Sequence, residues 1–581
     1  MKNRLRSILE QAVSAVLAES PPNSVSVSDI QLEAPRNPDH GDFSTNIALI
    51  LAKPLGVPPR DLAIAIVDKL QSSPLVDHAE TAGPGFINLH LATRAFMDVI
   101  GRVLESKENY GRSDIGSGKH VQVEFVSANP TGPLHVGHGR GAAYGAVLAN
   151  IFDAAGYTVS REYYINDAGR QMDILATSVL LRYLEECGRS LKFPENAYRG
   201  DYIVEIAKAL RRNVGDRFDY STDVLMGTEV AIADPEAALD ELIARSKIAL
   251  GSKRYAEVHC FASDEILTGI KNDLLEFGVE FDSWFAESQL TDNGSVDGAI
   301  NALDDRLVYT KDGARWFRST AFGDEKDRVV VRENGTATYF ASDIAYHADK
   351  YRRGFDHLIN IWGADHHGYV GRVKAAIEAM DLDPQRLEIL LVQFAVLYRD
   401  GQKVSMSTRS GEFVTLAELV AEVGTDAARF FYITRRSDQH LDFDLDLAKS
   451  ESNDNPVYYV QYAYARICSV FTQLADKGYD ADPMAGLART ERLADRKEKQ
   501  LAVQLSKYPE VFENAVRNRE PHLITIFLRE LAADFHTYYN SCRIITDDAD
   551  QRNARLALIL AVKQVLGNGL GLLGVSAPEA M

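Results

Sequence analysis

The chain has 581 residues, 46% of them hydrophobic and 25% charged, which is typical of a soluble globular protein of about four domains. Its formal net charge of −20 argues against a general nucleic-acid coat, because phosphate contacts need clustered Lys and Arg. The four cysteines are scattered and form no C-x-x-C pair, so we expect no metal site in the protein. With no signal core and no segment approaching the roughly 20 apolar residues of a membrane span, we expect a cytoplasmic protein with no membrane partner.

The first 110 residues are predicted to form a small α+β module. Helical patterns cover residues 3–19 and 60–71, and a strand is expected at 86–90 after a Gly-Pro-Gly turn. The polar run 106–119 that follows is typical of a linker.

A strand–loop–helix–strand pattern opens the second predicted domain, residues 118–415. Strand 121–126 leads through a loop into a helix that begins near Val136, Gly156 stands at the helix end, and a second strand covers 157–165. Such a βαβ unit favours a parallel, Rossmann-like sheet. The acidic, helix-rich residues 172–280 are interpreted as an insertion into this domain.

The remaining patterns complete the predicted fold. Strands are expected at 329–331, 336–340, 357–362 and 389–397, with one helix after Asp343 and another at 370–380. Residues 416–452 read as a connecting helical segment, and 453–581 as an α-helical bundle with heptad-like apolar spacing. The predicted fold class is therefore multidomain α/β: an N-terminal α+β module, a Rossmann-like domain with a helical insertion, and a C-terminal all-α bundle.

The strongest chemical signal is a pair of histidines, His135 and His138, at the start of the helix that follows the first parallel strand. A helix N-terminus attracts phosphate, and imidazoles there can donate hydrogen bonds as charge builds on phosphate oxygens. Gly137 between them, with no side chain, would let an adenine plane approach the backbone. Such pairs are also often surface or metal-ligand residues, but the strand and the Pro/Gly loop before them favour the phosphate interpretation.

Residues 128–138 resemble the HIGH signature of class I aminoacyl-tRNA synthetases, in the form found in bacterial arginyl-tRNA synthetases. Segments 165–171, 362–369, 424–430 and 455–462 resemble the same family, and the similarity covers nearly the whole chain. The resemblance implies a ligase that activates L-arginine with Mg²⁺-bound ATP and transfers it to tRNA(Arg). It also implies that activation needs bound tRNA, and we expect a monomer.

An arginine site needs carboxylates that face a planar guanidinium. The resemblance places this site on Glu124, Asn129, Tyr339 and Asp343, with one of the acids and Tyr339 at the guanidinium, and which acid takes which end stays open. Each of these residues could instead have a purely structural role: Asp343 could cap a helix, Glu124 could face water from an edge strand, and Tyr339 could be a core aromatic.

Two further segments are implied to bind ATP. Gly363, Asp365 and His366 follow a parallel strand, where ligands bind in open α/β sheets, and Asp365 suits the ribose hydroxyls, although an ordinary polar turn is the alternative. The second class I signature aligns with 405–409 and includes Met406 and Ser407, but both of its lysine positions are replaced, and Gly132 stands where some arginyl enzymes carry a compensating lysine. We therefore hypothesise that Lys403 or Arg409, with Mg²⁺, stabilises the triphosphate; a flexible polar loop is the alternative.

Contacts with tRNA are expected in the first and last domains. Aromatic rings can stack on splayed anticodon bases, and Arg can stack or pair. The candidates are Tyr458, Tyr459, Gln461, Tyr462 and Arg466 in the bundle, and Phe86 and Asn88 in the N-terminal module. Tyrosines on a helix are more often packed in the core. We therefore expect about a third of these candidates in the bundle to touch RNA.

Rival functions are a class I synthetase for cysteine or glutamate, and a non-catalytic RNA-binding paralogue. A cysteine enzyme would need a zinc site, and a glutamate enzyme would need Arg in place of Glu124 and Asp343. The altered 405–409 segment favours the paralogue, whereas His135 and His138 count against it.

Overall fold

The computed structural model describes residues 2–18, 30–33, 35, 37, 40–220, 225, 234–303, 306–404 and 414–581. In the N-terminal module, helices pack on a three-stranded antiparallel sheet of order β1-β3-β2. Its elements are α1 (Lys2–Ala18), β1 (Phe43–Thr45), α2 (Ile47–Leu55), α3 (Pro59–Leu70), β2 (Val76–Ala82), β3 (Phe86–Leu91) and α4 (Thr93–Ser106). The predicted helices and strand are confirmed, and α2 has no counterpart in the prediction. The expected linker 106–119 is packed, since the Tyr110 hydroxyl donates to Leu505 O at 3.0 Å.

A parallel sheet of order β11-β10-β4-β5-β6 forms the second domain and is Rossmann-like, as predicted. Its strands are β4 (His120–Glu124), β5 (Thr158–Ile165), β6 (Ser283–Ala286), β10 (His357–Gly363) and β11 (Leu387–Val392). The chain winds from β4 to one edge through β5 and β6, then returns to the other side of β4 through β10. The point at which the winding reverses therefore lies between β4 and β10, where open α/β sheets bind ligands.

Helix α5 (Val136–Ala154) follows β4 and begins at the predicted residue. The described residues between β5 and β6 form the helices α6 (Arg170–Glu186), α7 (Asp201–Val214), α8 (Pro235–Leu250) and α9 (Ser252–Glu276). After β6 come α10 (Ser288–Asp292), α11 (Ser295–Ala302), β7 (Val308–Lys311), β8 (Ala314–Phe317), β9 (Arg328–Val331) and α12 (Tyr339–Arg352).

Of two strand predictions in this region, the strand at 329–331 is confirmed and the strand at 336–340 is wrong. Strand 329–331 exists as β9, but it belongs to a separate antiparallel sheet of order β7-β8-β9 rather than to the parallel sheet. The strand expected at 336–340 is absent from these described residues: Thr338 precedes α12, and Tyr339 is its first residue. Helix α12 therefore begins four residues before Asp343, and Asp343 is not its cap.

The strand expected at 389–397 is two strands in two sheets. β11 ends at Val392, and Gln393 N donates to Ser437 O at 2.8 Å, which turns the chain away from the parallel sheet. A small sheet of order β13-β12-β14 follows. The elements here are α13 (Val370–Ala379), β12 (Ala395–Arg399), β13 (Gln402–Lys403), α14 (Leu416–Val423), α15 (Thr425–Ile433), β14 (Leu441–Asp444) and α16 (Leu445–Lys449).

The C-terminal part is a helical bundle, as predicted. Its helices are α17 (Pro456–Asp476), α18 (Pro483–Leu487), α19 (Arg496–Asn518), α20 (His522–Ser541) and α21 (Ala549–Leu573). The expectation that no segment has the length and composition of a membrane span is wrong for α21, which has 25 residues and a mean hydropathy of 1.7 in its most apolar stretch. That stretch is 61% buried, and α21 packs in the bundle core against α17, α19 and α20.

One buried arginine joins the bundle to the sheet domain, and a second holds the first helix of that domain. Arg429 on α15 is 1% exposed, and its guanidinium donates to Leu573 O at the end of α21 and to Phe277 O and Gly278 O after α9. Carbonyls at helix C-termini carry partial negative charge, which stabilises a buried cation. Arg140 on α5 is held in the same way by Gln393 O, Gln439 O and Arg436 O. The first helix of the parallel sheet is thereby held in a fixed position.

Candidate active site

The predicted phosphate-binding histidines lie at the carboxyl end of β4, at the point where the sheet reverses its winding. His135 Nδ1 accepts a hydrogen bond from Gly137 N at 3.1 Å, and His138 Nδ1 accepts one from His135 N at 3.2 Å. The two rings stack with centroids 3.8 Å apart. Because each Nδ1 is an acceptor, each ring must carry its proton on Nε2.

This arrangement keeps both histidines neutral. Burial lowers the pKa of His135, and burial together with His135 lowers the pKa of His138 to about 3. Two Nε2–H groups at a helix N-terminus are donors suited to phosphate oxygens. A side chain at Gly137 would come within 2.8 Å of the His135 ring, so glycine is required there by the protein itself.

A cavity of about 320 Å³ opens between the ends of β4 and β10 and helix α12, and its described lining does not include His135 or His138. It brings together all four residues predicted to bind arginine: Glu124, Asn129, Tyr339 and Asp343. Tyr339 is 44% exposed, so it is not a core aromatic, and Glu124 is 5% exposed on the central strand, so it is not a water-facing edge residue. A third acid, Glu287, which the sequence analysis missed, also faces the cavity.

The three acids of the cavity differ in whether a cationic side chain pairs with them. Glu124 Oε2 accepts a short hydrogen bond from Lys350 Nζ, and its Oε1 accepts one from Ser127 Oγ at 2.9 Å. Within the described parts of the chain, neither Asp343 nor Glu287 forms an ion pair. Burial, Glu287 and Glu124 raise the pKa of Asp343 to about 8, and burial also raises the pKa of Glu287. The cavity therefore holds two acids, Asp343 and Glu287, that have no cationic partner among the described residues.

The segment 165–171 builds one wall of this cavity. With its amide oriented to satisfy both neighbours, Asn166 Nδ2 donates to Glu287 Oε2 at 2.8 Å. Asp167 accepts from Ser288 N and Ser288 Oγ at 2.9 and 2.7 Å, which fixes the start of α10. Gln171 Oε1 accepts from Asn129 Nδ2 at 2.6 Å. The segment thus orients Glu287 and Asn129 toward the cavity.

The loop after β10 is a 3₁₀ turn that carries the predicted ribose-binding residues. His366 lines the cavity, and its Nε2 lies 3.6 Å from Asp365 Oδ2, with both side chains exposed. A side chain at Gly363 would approach Asp365 Oδ1 to 2.5 Å, so glycine leaves room for this carboxylate. The loop lies at the carboxyl end of the strand next to β4, as expected.

Met406 and Ser407, which were predicted to bind ATP, and Arg409, which was predicted to stabilise the triphosphate, lie outside the described residues. Lys403 is described: it is exposed on β13, which pairs with β12. The described chain resumes at Val414, whose carbonyl accepts from Val136 N at 3.1 Å, immediately beside His135. The described residues on either side of this segment are Val404, whose N donates to Leu397 O of β12 at 2.9 Å, and Val414 at the histidine turn.

The candidate tRNA residues divide into surface and interior. Phe86 is 41% exposed, whereas Asn88 is 4% exposed and donates to Glu80 Oε1 at 3.3 Å. In the bundle, Gln461 is 8% exposed and its amide donates to Asp426 Oδ2 and Ser576 O. The side chains of Asn88 and Gln461 thus form hydrogen bonds within the protein.

The aromatic candidates on α17 form a partly exposed stack. The rings of Tyr458 and Tyr462 stack with centroids 5.9 Å apart. The Arg466 guanidinium lies 4.6 Å from the ring centres of both Tyr462 and Tyr539. Tyr459 packs on His536 at 4.6 Å. This surface presents aromatic faces and one cation, which suits unpaired bases.

Three family models match the chain along its length. They are the arginyl tRNA synthetase N terminal domain over residues 3–91, the tRNA synthetases class I (R) catalytic domain over 99–195 and 268–440, and the DALR anticodon binding domain over 460–581. Arginine–tRNA ligases of Thioalkalivibrio sulfidiphilus and Nitrosomonas europaea are each 56% identical to the chain, covering all of it and 100% and 98% of their own lengths. The solved arginyl-tRNA synthetase of Thermus thermophilus matches with a TM-score of 0.72 over all of both chains, and at 22% identity it shows the fold alone.

The Rossmann-like sheet, the histidine pair at its switch point and the matched catalytic domain define a class I aminoacyl-tRNA synthetase. The chain belongs to the arginyl-tRNA synthetase family, and it is an arginine–tRNA ligase that uses ATP. The predictions of family, fold class and activity are confirmed. The cysteine, glutamate and non-catalytic alternatives are not supported by these relatives.

Proposed function

We propose that the cavity between β4, β10 and α12 binds the arginine substrate, with Asp343 and Glu287 at the guanidinium. The observation that carries this assignment is that these two carboxylates of the cavity lack a cationic partner within the described residues, whereas Glu124 has Lys350. A planar guanidinium donates to two acceptors at once, and the Tyr339 hydroxyl can support it. Asn129 and Oε1 of Glu124 then face the α-amino end.

In the first step, the arginine carboxylate oxygen attacks the α-phosphorus of Mg²⁺-bound ATP. The new bond gives arginyl-adenylate, and the bond to the leaving pyrophosphate breaks. We assign Nε2–H of His135 and His138 to phosphate oxygens, Asp365 with Gly363 and His366 to the ribose, and Gly137, Met406 and Ser407 to the nucleotide. In the second step, a terminal ribose hydroxyl of tRNA(Arg) attacks the arginyl carbonyl and releases AMP, its proton leaving to solvent or phosphate.

ATP–pyrophosphate exchange with arginine, measured with and without tRNA(Arg), tests this function. We expect arginine-dependent exchange and expect that it requires tRNA. Exchange driven by cysteine or glutamate in place of arginine would contradict the assignment, as would no exchange under either condition. The accompanying proposals of a monomer and a cytoplasmic location are tested by sedimentation and by cell fractionation.

We propose that Lys403 or Arg409 supplies the cation that stabilises the triphosphate. Both lysine positions of the second class I signature hold other residues in this chain. Another positive charge is therefore needed near the β- and γ-phosphates. We expect Lys403→Ala or Arg409→Ala to lower the exchange rate about 10- to 100-fold, with little change in arginine affinity. Lys449→Ala is a matched control, since Lys449 pairs with Glu422 at 2.8 Å on the surface. Full exchange rates in both test variants would refute this role.

Arginine binding is expected to strengthen as pH rises toward 8. Below its pKa of about 8, Asp343 is neutral and must lose a proton before it can pair with a guanidinium. The association constant should therefore rise by up to about tenfold per pH unit below that pKa and level off above it. Calorimetry from about pH 6 to about pH 8.5 measures the profile, and Asp343→Asn should flatten it. A flat profile in the unmodified protein would contradict the proposed pairing.

The aromatic stack on α17 is expected to bind anticodon bases. Tyr458→Ala removes a partly exposed ring, and loss of one base stack should weaken tRNA binding about 5- to 100-fold. Tyr464→Ala is the control, because the Tyr464 ring lies 5.0 Å from Lys563 Nζ and packs on α21. Filter binding with tRNA(Arg) measures both. Equal losses in the two variants would show that the effect comes from the bundle's packing rather than from RNA contact.

A further inference from the structure

A buried cation lies beneath the acidic cavity without reaching into it. The Lys350 side chain is 0% exposed, and its ammonium donates to Glu124 Oε2 and, at 2.7 Å, to Asn360 Oδ1. The same ammonium lies 4.5 Å from the centre of the Tyr346 ring. Burying an ammonium costs free energy unless it is paired and hydrogen-bonded. The burial of Lys350 therefore depends on its contacts with Glu124 and Asn360.

The hydrogen bonds that begin at Lys350 return to the cavity wall. Asn360 Nδ2 donates to His347 Nε2 at 2.9 Å, and His347 Nδ1 donates to the Asp343 carbonyl at 2.8 Å. This places the ring proton of His347 on Nδ1. Lys350 therefore balances the charge of one cavity acid and supports the helical turn that carries another.

We propose that Lys350 is a positioning residue that sets the charge of the arginine site. It neutralises Glu124, which leaves Asp343 and Glu287 as the two carboxylates available to the substrate, and it holds the turn of α12 that presents Asp343. Without Lys350, three like charges would share one small buried cavity. This inference rests on the proposed binding of arginine there.

The charges of Lys350 and Glu124 affect the ionisation of Asp343. Glu287 and Glu124 both act to keep Asp343 protonated, and the positive charge of Lys350 opposes the effect of Glu124. Loss of Lys350 should make Asp343 harder to ionise, and loss of the Glu124 charge should make it easier. The titratable and charged groups around Asp343 among the described residues are Glu287, Glu124, Tyr164, Tyr339, Tyr346, Tyr369, His347, His366 and Lys350.

The test measures arginine binding against pH by calorimetry, using the full chain. We expect Lys350→Met to move the midpoint of the pH profile upward by about half a unit to one unit and to weaken binding at pH 7 about three- to tenfold. Glu124→Gln should move the midpoint downward. The double variant Glu124→Gln/Lys350→Met has neither charge and should return the midpoint to that of the unmodified protein.

Arg353 offers a matched control for general damage to α12. It directly follows the last residue of the same helix and pairs with the buried Glu162, with Nη2 2.9 Å from Oε1, but neither residue lines the cavity. Arg353→Met should lower thermal stability and leave the midpoint unchanged. An equal shift in Arg353→Met and Lys350→Met, or an unmoved midpoint in Lys350→Met, would overturn the proposal.

A second pair of variants decides the matter if Lys350→Met does not fold. Glu124→Gln and the double variant must then differ in midpoint, since only the former retains the unbalanced Lys350 charge, and equal midpoints would overturn the proposal. An unmodified protein that binds no arginine would instead refute the assignment of the substrate to this cavity, and the role of Lys350 with it.

Discussion

Replacing His138 with asparagine is expected to lower ATP–pyrophosphate exchange about 100- to 1,000-fold while leaving the protein folded. The Oδ1 of asparagine can take the place of Nδ1, which accepts the hydrogen bond from His135 N at 3.2 Å. The cap of α5 is then kept, but the donor at the Nε2 position is lost. The same reasoning applies to His135→Asn, whose Oδ1 can accept from Gly137 N.

Substitution by glutamine tests separately the two functions of each histidine ring, which are capping of α5 through Nδ1 and hydrogen-bond donation from Nε2. Its side-chain amide can reach the Nε2 position and donate there, so His138→Gln should keep more activity than His138→Asn. Thermal unfolding of both variants measures the structural cost, which we expect to be about 1 kcal/mol for a lost or weakened cap. Exchange within tenfold of the unmodified rate in a folded His138→Asn protein would show that the histidine pair is only a helix cap.

The histidine turn was predictable because every signal for it is local. Strand β4, the Pro/Gly loop and helix α5 follow one another within 35 residues, from His120 to Ala154, and each has its own pattern in the sequence. The error at 336–340 has the opposite cause. Thr336 to Phe340 has the composition of a strand, but packing of α12 on the parallel sheet determines that Tyr339 is helical.

The missed residues depend on tertiary contacts. Glu287 follows β6, a strand of four residues that is too short to give a clear pattern, and it faces the cavity only because β6 pairs with β5. An acid directly after the apolar run Trp284-Phe285-Ala286 was the one available signal. Lys350 has the sequence signature of a solvent-facing helical lysine, and only its contact with Glu124 shows that it is buried. The family resemblance supplied Asp343 and Tyr339, which spacing alone would not have joined.

Asp343→Asn is expected to raise the KM for arginine about 30- to 5,000-fold with a smaller effect on kcat. Truncating one partner of a buried charge pair costs about 2–5 kcal/mol, and the remaining carboxylate, Glu287, would face the guanidinium alone. Asparagine keeps the volume and polarity of the side chain, so the cavity should keep its shape. Glu287→Gln should act in the same direction, because Asn166 orients that carboxylate toward the same cavity.

Asp349→Asn is the control on the same helix. Asp349 pairs with Arg353 at 3.0 Å and does not line the cavity, so its loss should leave the KM for arginine unchanged. Steady-state aminoacylation at saturating ATP and tRNA(Arg) measures all three variants. A KM within threefold of the unmodified value in Asp343→Asn would move the guanidinium to Glu124, and Lys350 would then have to leave that carboxylate when the substrate binds. Lys350 is fully buried with two hydrogen-bond acceptors in place, which makes such a movement costly and makes Asp343 with Glu287 the better-supported pair.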